Sequence, residues 1–394
     1  MKDSVVLAFS GGLDTSVSAM WLKEKLGYDV ITVTVDLGQG DDLEVIEERA
    51  RSAGASKHIM IDAKQEFVKD FIFHSIRANG LYEDKYPLAT ALSRPLIASK
   101  LVDVAKSEGS SIISHGCTGK GNDQARFDVT IKSLLPQVKI IAPVREWNLS
   151  RDEEMKYAKD MGITIEAKST YSIDQNLWGR SIEGGSLENP DVEPPSDVFE
   201  WTTEISKTPN DHQDITLEFD NGVPIGLNGN KIDSVEMITK LNQIAGTHGI
   251  GIIDHIENRL MGVKSREIYE APAALTLIEA HKDLEKMILT RQELEIKSII
   301  DKRWAWMVYT GLWVDPLMDA LNAFIDTTQS RVSGIVRMRL HKGSQRVISR
   351  RSDKSLYDFG LATYGSSSTF DQRAAEGFID IWGMQSRLAR GRSS

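Results

Sequence analysis

Ala8-Phe9-Ser10-Gly11-Gly12-Leu13-Asp14-Thr15-Ser16 joins a short apolar run to a segment with helical periodicity. The preceding run, residues 4–8, is partly β-branched and predicts a buried parallel strand. Apolar side chains recur at helical spacing over residues 17–22. The glycine pair lets the backbone turn sharply and approach a ligand, and the free N–H groups at the start of a helix attract anions. We therefore predict a phosphate-binding turn over residues 10–16.

This turn differs from the two most familiar phosphate-binding motifs. It lacks the Gly-Lys-Ser/Thr of the Walker loop and the Gly-x-Gly-x-x-Gly of dinucleotide-binding folds. The string Ser-Gly-Gly-Leu-Asp-Thr-Ser resembles the pyrophosphate loop of the ATP-pyrophosphatase superfamily, whose members cleave ATP between the α- and β-phosphates. The alternative is an ordinary glycine-rich turn with no ligand.

The composition is that of a soluble globular protein of two or three domains. The chain has 394 residues, of which 41% are hydrophobic and 26% are charged. The net charge of −10 disfavours extended nucleic-acid binding, which needs a basic face. Cys117 is the single cysteine, which excludes an intramolecular disulfide or a cysteine-based zinc cluster. With neither a signal peptide nor a membrane-spanning run in the sequence, we expect a cytoplasmic protein with no membrane partner.

The first half of the chain alternates predicted strands with predicted helices. Besides the opening strand, the strands are expected at residues 30–35, 58–61, 111–114 and 138–142, and the helices at 43–53, 64–79 and 96–108. This alternation predicts an α/β domain over residues 1–168, built on a doubly wound parallel sheet that binds nucleotides. Ligands bind at the carboxyl ends of such strands. The candidate loops there are the opening turn, residues 36–40 and residues 115–122.

The second half predicts an α+β domain over residues 169–368. Residues 188–196, rich in proline and acid, are expected to form a connector. A strand is expected at 215–219 before an Asn-Gly turn, helices at 235–245 and 273–289, and a hairpin from 332–340 and 346–349. The segment 369–394 contains an amphipathic C-terminal helix, predicted at 371–390. Its apolar face could pack on its own domain or on another subunit.

A second unusual stretch follows the predicted fourth strand. It reads His115-Gly116-Cys117-Thr118-Gly119-Lys120-Gly121-Asn122-Asp123-Gln124-Ala125-Arg126-Phe127-Asp128. Asn122 and Asp123 are good helix starters, and Arg126 lies three residues beyond Asp123, so both side chains can point towards one site. Such a loop suits a zwitterionic substrate. The alternative is a capped helix with a flexible approach.

Together the two loops resemble those of the argininosuccinate synthase family. The resemblance covers nearly the whole chain and continues in residues 81–86, 141–147, 171–185, 256–259, 263–270 and 354–357. It implies that citrulline and aspartate are ligated at the expense of ATP through a citrullyl-adenylate, with release of AMP and pyrophosphate. It also implies Mg²⁺ with the ATP, a synthetase and multimerisation role for the second domain, and a homotetramer with exchanged C-terminal helices. The adenylate forms on the substrate, so no enzyme nucleophile is required.

The resemblance assigns roles to individual positions. It implies that ATP contacts Ala8, Phe9, Ser10, Gly11, Gly12, Leu13, Asp14, Thr15, Ser16, Val35 and Gly116. Aspartate would contact Thr118, Asn122 and Asp123. Citrulline would contact Tyr86, Asn122, Arg126, Ser172, Ser181, Glu257 and Tyr269. Ser10, Asp14 and Asp123 would serve catalysis, and no metal site is built by the protein alone, although Asp174 is a weaker candidate for the nucleotide or its Mg²⁺.

Several of these side chains also have simpler interpretations. Tyr86 could be a packed loop aromatic, Ser172 and Ser181 could be helix caps, and Glu257 could form a surface ion pair with Arg259 or Lys264. The sequence also departs from the family pattern. Ala91 lacks a usual serine hydroxyl, which Thr90 could replace, Cys117 replaces an alanine, and Glu267 replaces a glycine.

Three rival functions remain open on sequence alone. The first is another ATP-pyrophosphatase ligase, which would need free ammonia because no glutaminase cysteine is available. The second is a tRNA-modifying enzyme, which would want a basic surface. The third is an inactive nucleotide-binding regulator, supported only by the change at Ala91.

Overall fold

The computed structural model describes residues 3–119, 121–147, 151–160 and 171–392. Lys120 of the second loop and the predicted domain boundary between residues 168 and 169 lie outside the described residues. The strands are β1 (Ser4–Ala8), β2 (Asp29–Asp36), β3 (Lys57–Asp62), β4 (Ile112–Ser114), β5 (Lys139–Ile141), β6 (Ser172–Asn176), β7 (Gly179–Glu183), β8 (Gln213–Asp220), β9 (Val223–Leu227), β10 (Asn230–Lys231), β11 (Ile252–Asn258), β12 (Lys264–Glu270), β13 (Gly334–His341) and β14 (Ser344–Arg351).

The helices surround these strands and connect them. They are α1 (Leu13–Glu24), α2 (Leu43–Ser52), α3 (Lys64–Phe67), α4 (Phe73–Arg77), α5 (Ala89–Ser107), α6 (Asp123–Leu134), α7 (Pro143–Trp147), α8 (Arg151–Asp160), α9 (Ser234–Thr247), α10 (Pro272–Ile288), α11 (Arg291–Tyr309), α12 (Pro316–Gln329), α13 (Phe359–Ala362), α14 (Ala374–Trp382) and α15 (Met384–Gly391). A π-helical segment, Val68–Ile72, joins α3 to α4.

The first sheet is parallel and has the strand order β3-β2-β1-β4-β5. Val5 and Leu7 of β1 belong to a buried apolar cluster with α1 and α2 on one face, whereas Val6 packs with α5 on the other. Helices therefore cover both faces, which confirms the predicted doubly wound α/β fold. Because β1 and β4 are neighbours, the loops that follow them meet at the same sheet edge.

Helix α5 begins at Ala89, so the predicted start at residue 96 is wrong. Pro95 lies inside the helix, although proline usually ends one. Tertiary contacts outweigh this preference, because the first turn is buried and the Tyr86 hydroxyl accepts a hydrogen bond from the Thr90 N–H at 2.9 Å. Leu88 adopts a left-handed conformation with φ 67° and turns the chain into the helix.

The second half contains two antiparallel sheets. One has the order β11-β12-β7-β6 and the other β10-β9-β8-β13-β14. The predicted hairpin is β13–β14, the predicted strand before the Asn-Gly turn is β8, and the two predicted helices are α9 and α10. The predicted connector, residues 188–196, joins two short 3₁₀ turns, Gly185–Glu188 and Ser196–Val198. These elements confirm the α+β character of this half.

The β6–β7 turn packs against the first sheet. It brings the second half of the chain to the sheet edge where the loops after the parallel strands lie. The N–H of Leu177 donates to the carbonyl of Leu37 at 2.9 Å. Trp178 is fully buried, and its indole N–H donates to the carbonyl of Pro87 at 2.8 Å. The loop after β2 and the segment before α5 therefore both position the β6–β7 hairpin.

A buried polar network fixes α11 to α10 and to the end of α4. The Lys297 ammonium lies 3.0 Å from the carboxylate of Glu285 and 2.8 Å from that of Asp301. It also donates to the carbonyl of Arg77 at 2.8 Å. Asn79 donates to both carboxylates, at 2.7 and 2.9 Å. Burial raises the pKa of the Asp301 carboxyl to about 7; the neighbouring Glu285 carboxylate adds to this rise, and Lys297 opposes it.

The C-terminal segment forms two helices instead of the one predicted over residues 371–390. Helix α14 ends at Trp382, Gly383 interrupts the helix, and α15 follows. Phe378 is 60% exposed and Trp382 is 69% exposed, so this apolar face does not pack on its own domain within the described chain. No described helix is both long enough and apolar enough to cross a membrane.

Candidate active site

The predicted phosphate-binding turn, residues 10–16, is held in place from several sides by the rest of the chain. The hydroxyl of Thr34 donates to the carbonyl of Phe9 at 2.7 Å, and Arg49 of α2 donates to the carbonyl of Gly11 at 3.0 Å. Gly11 has φ +73°, a conformation that other residues rarely adopt. The hydroxyls of Ser10 and Thr15 are hydrogen-bonded to each other across the turn at 3.2 Å. The turn is therefore preformed.

Helix α1 leaves its first N–H groups available at this turn. Gly12 occupies the cap position and offers no side chain to bind them. The first intrahelical bond runs from the N–H of Ser16 to the carbonyl of Gly12, so the N–H groups of residues 13–15 have no intrahelical partner. Ser16 itself is fully buried. The backbone of residues 13–15 and the hydroxyls of Ser10 and Thr15 are thus what the turn presents to an anion.

Gly116 lies directly beside this turn. A Cβ at Gly116 would lie 3.2 Å from the Thr15 side chain and 3.7 Å from that of Asp14. The carboxylate of Asp14 makes no described hydrogen bond or ion pair at this edge. Val35 is buried at the end of β2, and its carbonyl accepts a hydrogen bond from Gln39 at 3.2 Å. The second loop therefore forms one wall of the phosphate-binding turn.

Asp123 opens helix α6 between two arginines. Arg94 of α5 and Arg126 each donate to its carboxylate at 2.8 Å. Although burial opposes ionisation, the two guanidinium groups hold the pKa of the Asp123 carboxyl below its ordinary value. Arg94 also pairs with Asp174 of β6, and here burial raises the pKa of the Asp174 carboxyl. This chain of charges joins α5 and α6 to the second half of the molecule.

Arg126 is nearly fully buried and retains one free donor group. Its Nε donates to the carbonyl of Tyr309 at 3.0 Å, and its guanidinium lies 5.0 Å from the centre of the Tyr309 ring. The Nη2 atom of Arg126 has no hydrogen-bond partner among the described residues. Gly311 allows this close approach, because a Cβ there would lie 2.9 Å from the Arg126 Cα. A buried guanidinium with an unpaired nitrogen can bind a carboxylate.

Glu257 is a buried carboxylate surrounded by tyrosines. It is 2% exposed and accepts a hydrogen bond from Tyr269 at 2.6 Å and another from Tyr309. Burial raises the pKa of the Glu257 carboxyl, and the two hydroxyl donors oppose that shift. No described cation bonds to Glu257, so the predicted alternative of an ion pair is wrong. A buried carboxylate with no cation is suited to an ammonium ligand.

Arg259 and Lys264, the partners considered for Glu257, bind elsewhere. Arg259 pairs with Glu183 and, at 2.6 Å, with Glu267. Lys264 donates to the side chain of Asn258 at 2.7 Å. Arg259 therefore neutralises Glu267, the residue that replaces a glycine of the family pattern.

Tyr86 packs among the same aromatic rings. Its ring stacks on that of Tyr269 with the centres 4.1 Å apart and meets that of Tyr309 edge-on at 6.3 Å. Burial raises its pKa to about 12. Because its hydroxyl bonds to the Thr90 N–H, Tyr86 is a packed aromatic as well as a neighbour of Tyr269. The two interpretations are compatible.

The predicted serines and Thr118 are brought together only in part. Ser181 donates to the carbonyl of Asp174 at 3.2 Å, and its hydroxyl lies 3.4 Å from that of Thr90. The Thr90 hydroxyl therefore lies beside that of Ser181, and its replacement of the serine hydroxyl missing at Ala91 stays a prediction. Ser172 is exposed on β6, and Thr118 is exposed on the second loop. Neither serine caps a helix, because both lie on strands.

Asn122 occupies the N-cap position directly before α6, but its side chain does not cap the helix. Its amide donates to the hydroxyl of Tyr309 at 2.8 Å and accepts from the N–H of Leu260 at 2.9 Å. Nearby, burial raises the pKa of the Cys117 thiol, which keeps it un-ionised. Asn122 therefore belongs to the tyrosine and carboxylate cluster and not to the helix cap.

The sequence did not identify Arg94 and Tyr309 as residues of the candidate active site. Arg94 bonds to Asp123 and Asp174, and Tyr309 contacts Asn122, Arg126 and Glu257. Arg94 lies three residues after Ala91, where the sequence departs from the family pattern, and this departure is a signal that could have identified it. Tyr309 carries no local signal, because it ends a helix far along the chain. The described residues contain no group of three or more metal-binding side chains.

Comparisons with known proteins identify the family of the chain. The model of the arginosuccinate synthase N-terminal HUP domain matches residues 4–164, and that of the C-terminal domain matches residues 171–389. Argininosuccinate synthase of Pyrococcus furiosus is 59% identical over 98% of this chain and 94% of its own length. That of Dictyoglomus thermophilum is 54% identical over 98% and 97%. That of Trichodesmium erythraeum is 53% identical over the same shares.

Among solved structures, a predicted subunit of a tRNA methyltransferase from Methanocaldococcus jannaschii covers 40% of this chain and 76% of its own, with 23% identity and a TM-score of 0.30. This likeness is too weak to bear on function. The family models and the relatives, in contrast, span nearly the whole chain. They do not favour the rival functions. The chain belongs to the argininosuccinate synthase family, ATP-dependent ligases that form a C–N bond.

Proposed function

We propose that this protein ligates citrulline to aspartate at the expense of ATP, through a citrullyl-adenylate, in arginine biosynthesis. The observation that supports this most strongly is the pairing of two features at one edge of the sheet. The predicted phosphate turn lies beside the second loop, and the helix that follows this loop carries the buried Arg126, while strand β11 carries the buried Glu257 of opposite charge. A free amino acid needs both, a donor for its carboxylate and an acceptor for its ammonium.

In the first step the ureido oxygen of citrulline attacks the α-phosphorus of ATP, and pyrophosphate leaves. The free N–H groups of residues 13–15, with Ser10 and Thr15, would bind the departing phosphates. Arg126 would bind the citrulline carboxylate through its unpaired Nη2, and Glu257 would bind the ammonium. Positioning and stabilisation of charge would supply most of the rate, since no covalent enzyme intermediate is needed.

In the second step the aspartate amine attacks the ureido carbon, and AMP leaves with the former ureido oxygen. Thr118, Asn122 and Asp123 would bind aspartate at the second loop. Because Arg94 and Arg126 hold the pKa of Asp123 low, its ionised carboxylate is suited to orient the amine and is a weak proton acceptor. The proton lost by the amine would pass to solvent.

Mg²⁺ would enter with ATP and would neutralise charge on its phosphates. Such ions use one or two carboxylates together with phosphate oxygens, so a complete protein site is not required. The Asp14 carboxylate, without a described partner beside the phosphate turn, fits this role. Asp174 fits less well, because Arg94 already holds it.

The remaining assignments follow the family. We propose a cytoplasmic homotetramer in which the exposed faces of α14 and α15 lie against other subunits. We also retain the division into residues 1–168, 169–368 and 369–394 as a nucleotide-binding domain, a synthetase domain and an oligomerisation segment.

The proposal is tested by measuring pyrophosphate release from ATP-Mg with citrulline and aspartate, and again with each amino acid omitted. We expect release to require citrulline. Arg126→Ala should weaken the citrulline response, because a carboxylate ligand is lost. Arg145→Ala is a matched control, since Arg145 bonds to Gln124 and Asp128 beside the same loop. Release that is independent of citrulline would exclude this function.

A further inference from the structure

The hairpin β13–β14 carries a row of arginine and histidine side chains on its outer face. Along β13, Val336, Met338 and Leu340 are fully buried. Side chains alternate between the faces of a strand, so Arg337, Arg339 and His341 point the other way. This face belongs to the sheet β10-β9-β8-β13-β14, whereas the candidate active site is built at the other two sheets.

Strand pairing places two arginines of the hairpin directly opposite each other. Arg339 lies across from Arg346 of β14 on one side and from Asp214 of β8 on the other. Asp214 binds Arg339 through two bonds of 2.7 and 2.9 Å, and Arg337 also approaches it at 3.6 Å. One carboxylate is thus already shared by two guanidinium groups. Arg346 has no described ion pair. Like charges in directly opposed positions destabilise a sheet, so this arrangement favours an additional anion.

The same residues line a cavity. Its volume is about 400 Å³, and its lining consists of His212, Arg339, His341, Ser344 and Arg346. None of these side chains is a carboxylate, but the Asp214 carboxylate binds Arg339 and lies 3.9 Å from the Nε2 atom of His212. The Nε2 atom of His341 lies 3.0 Å from the carbonyl of Asn210, which fixes the ring beside the hairpin turn. The neighbouring Lys342 also bonds to Asn210, at 2.9 Å.

We propose that this cavity binds a small metabolite through a phosphate group. Guanidinium groups bind phosphate through paired hydrogen bonds, and the Ser344 hydroxyl and the His212 imidazole can each add a single donor. A cavity of about 400 Å³ is in the range of small-molecule sites and leaves room for an organic part beyond the phosphate. The chain as a whole carries a net charge of −10, so a local excess of cations is not a general property of its surface. The site is separate from the candidate active site and does not depend on the proposed function.

The test measures binding of inorganic phosphate, and then of glycerol 3-phosphate against glycerol, by titration calorimetry at constant ionic strength. Arg346→Gln should weaken phosphate binding at this site about tenfold or more, because a charge-assisted contact is lost. Arg346→Lys, which retains the charge but not the paired donors, should give an intermediate loss. Arg350→Gln is the matched control, because it removes the same charge from the same strand but on the face where Arg350 pairs with Asp283 of α10.

The comparison of variants also separates this cavity from the phosphate turn, which all of them retain. Equal phosphate binding by the wild type, Arg346→Gln and Arg350→Gln would overturn the proposal. Equal binding of glycerol and glycerol 3-phosphate would do the same. If Arg346→Gln changes the oligomeric state measured by light scattering and leaves phosphate binding unchanged, the cluster is a subunit contact and not a ligand site.

Discussion

Replacing Tyr309 by phenylalanine removes one hydroxyl from the buried carboxylate of Glu257. Glu257 is 2% exposed, so water cannot readily replace the lost donor. Only the hydroxyl of Tyr269, at 2.6 Å, then remains. A hydrogen bond to a charged group contributes about 1.5–3 kcal/mol. Removing a donor to the ionised form raises the pKa, and at about 1.4 kcal/mol per unit the expected rise is about one to two pH units.

This change has a defined kinetic consequence. If ionised Glu257 binds the citrulline ammonium, the acid limb of kcat/KM for citrulline should move to higher pH by about one to two units. At a pH on that limb the loss should be about 10- to 100-fold, and it should shrink at higher pH. The assay measures initial rates of pyrophosphate release from pH 5.5 to 9 with varied citrulline and saturating ATP and aspartate.

Tyr82→Phe is the matched control for this experiment. Tyr82 stacks on Tyr309 with the ring centres 3.6 Å apart, but its hydroxyl donates to the carbonyl of Asn258 at 2.8 Å. It should therefore leave the acid limb in place. The reasoning is refuted if Tyr309→Phe folds normally and keeps the wild-type pH profile, or if Tyr82→Phe shifts the profile equally.

Three further predictions concern the glycines of the site and the buried network. Gly311→Ala should lower thermal stability and citrulline kcat/KM together, because its Cβ would lie 2.9 Å from the Arg126 Cα. The control Gly109→Ala, at φ +66° in open space, should lower stability alone. An equal change in citrulline kcat/KM in the two variants would contradict this reasoning. Gly116→Ala should raise the KM for ATP with little change in melting temperature, and an unaltered KM would argue against its place at the phosphate turn. For Asp301, the raised folded-state pKa of about 7 adds stability that is fully present below the unfolded-state pKa near 3.8 and is lost as the pH rises through 7. Asp301→Asn should flatten the decline in unfolding free energy between about pH 4 and 7, and an unchanged slope over that range would contradict this.

Local signals predicted the parts of the fold that depend on neighbouring residues. The phosphate turn, its flanking strand and helix, and the β13–β14 hairpin all follow from glycine positions and apolar periodicity within short windows. The start of α5 could not be predicted in this way. Its first turn is stabilised by burial and by the Tyr86 hydroxyl, and neither contact is visible before the chain is folded.

The same distinction applies to the site. The residues of the second loop are adjacent in sequence, so their clustering was visible as a motif. Tyr309 reaches the loop from the end of α11, a helix that Lys297 joins to Glu285 of α10 and to the carbonyl of Arg77. The division of the C-terminal helix at Gly383 also escaped prediction, since a single glycine costs only about 1 kcal/mol in a helix.

In the proposed reaction the ureido oxygen of citrulline attacks the α-phosphorus at the edge of the sheet where the two loops meet. Citrulline labelled with ¹⁸O in the ureido group tests it directly, because AMP leaves with that oxygen. The reaction is run with ATP-Mg and aspartate, and the AMP is analysed by mass spectrometry. We predict one ¹⁸O atom in each AMP formed and none in the ligated product derived from that group. AMP without the label would contradict the adenylate mechanism.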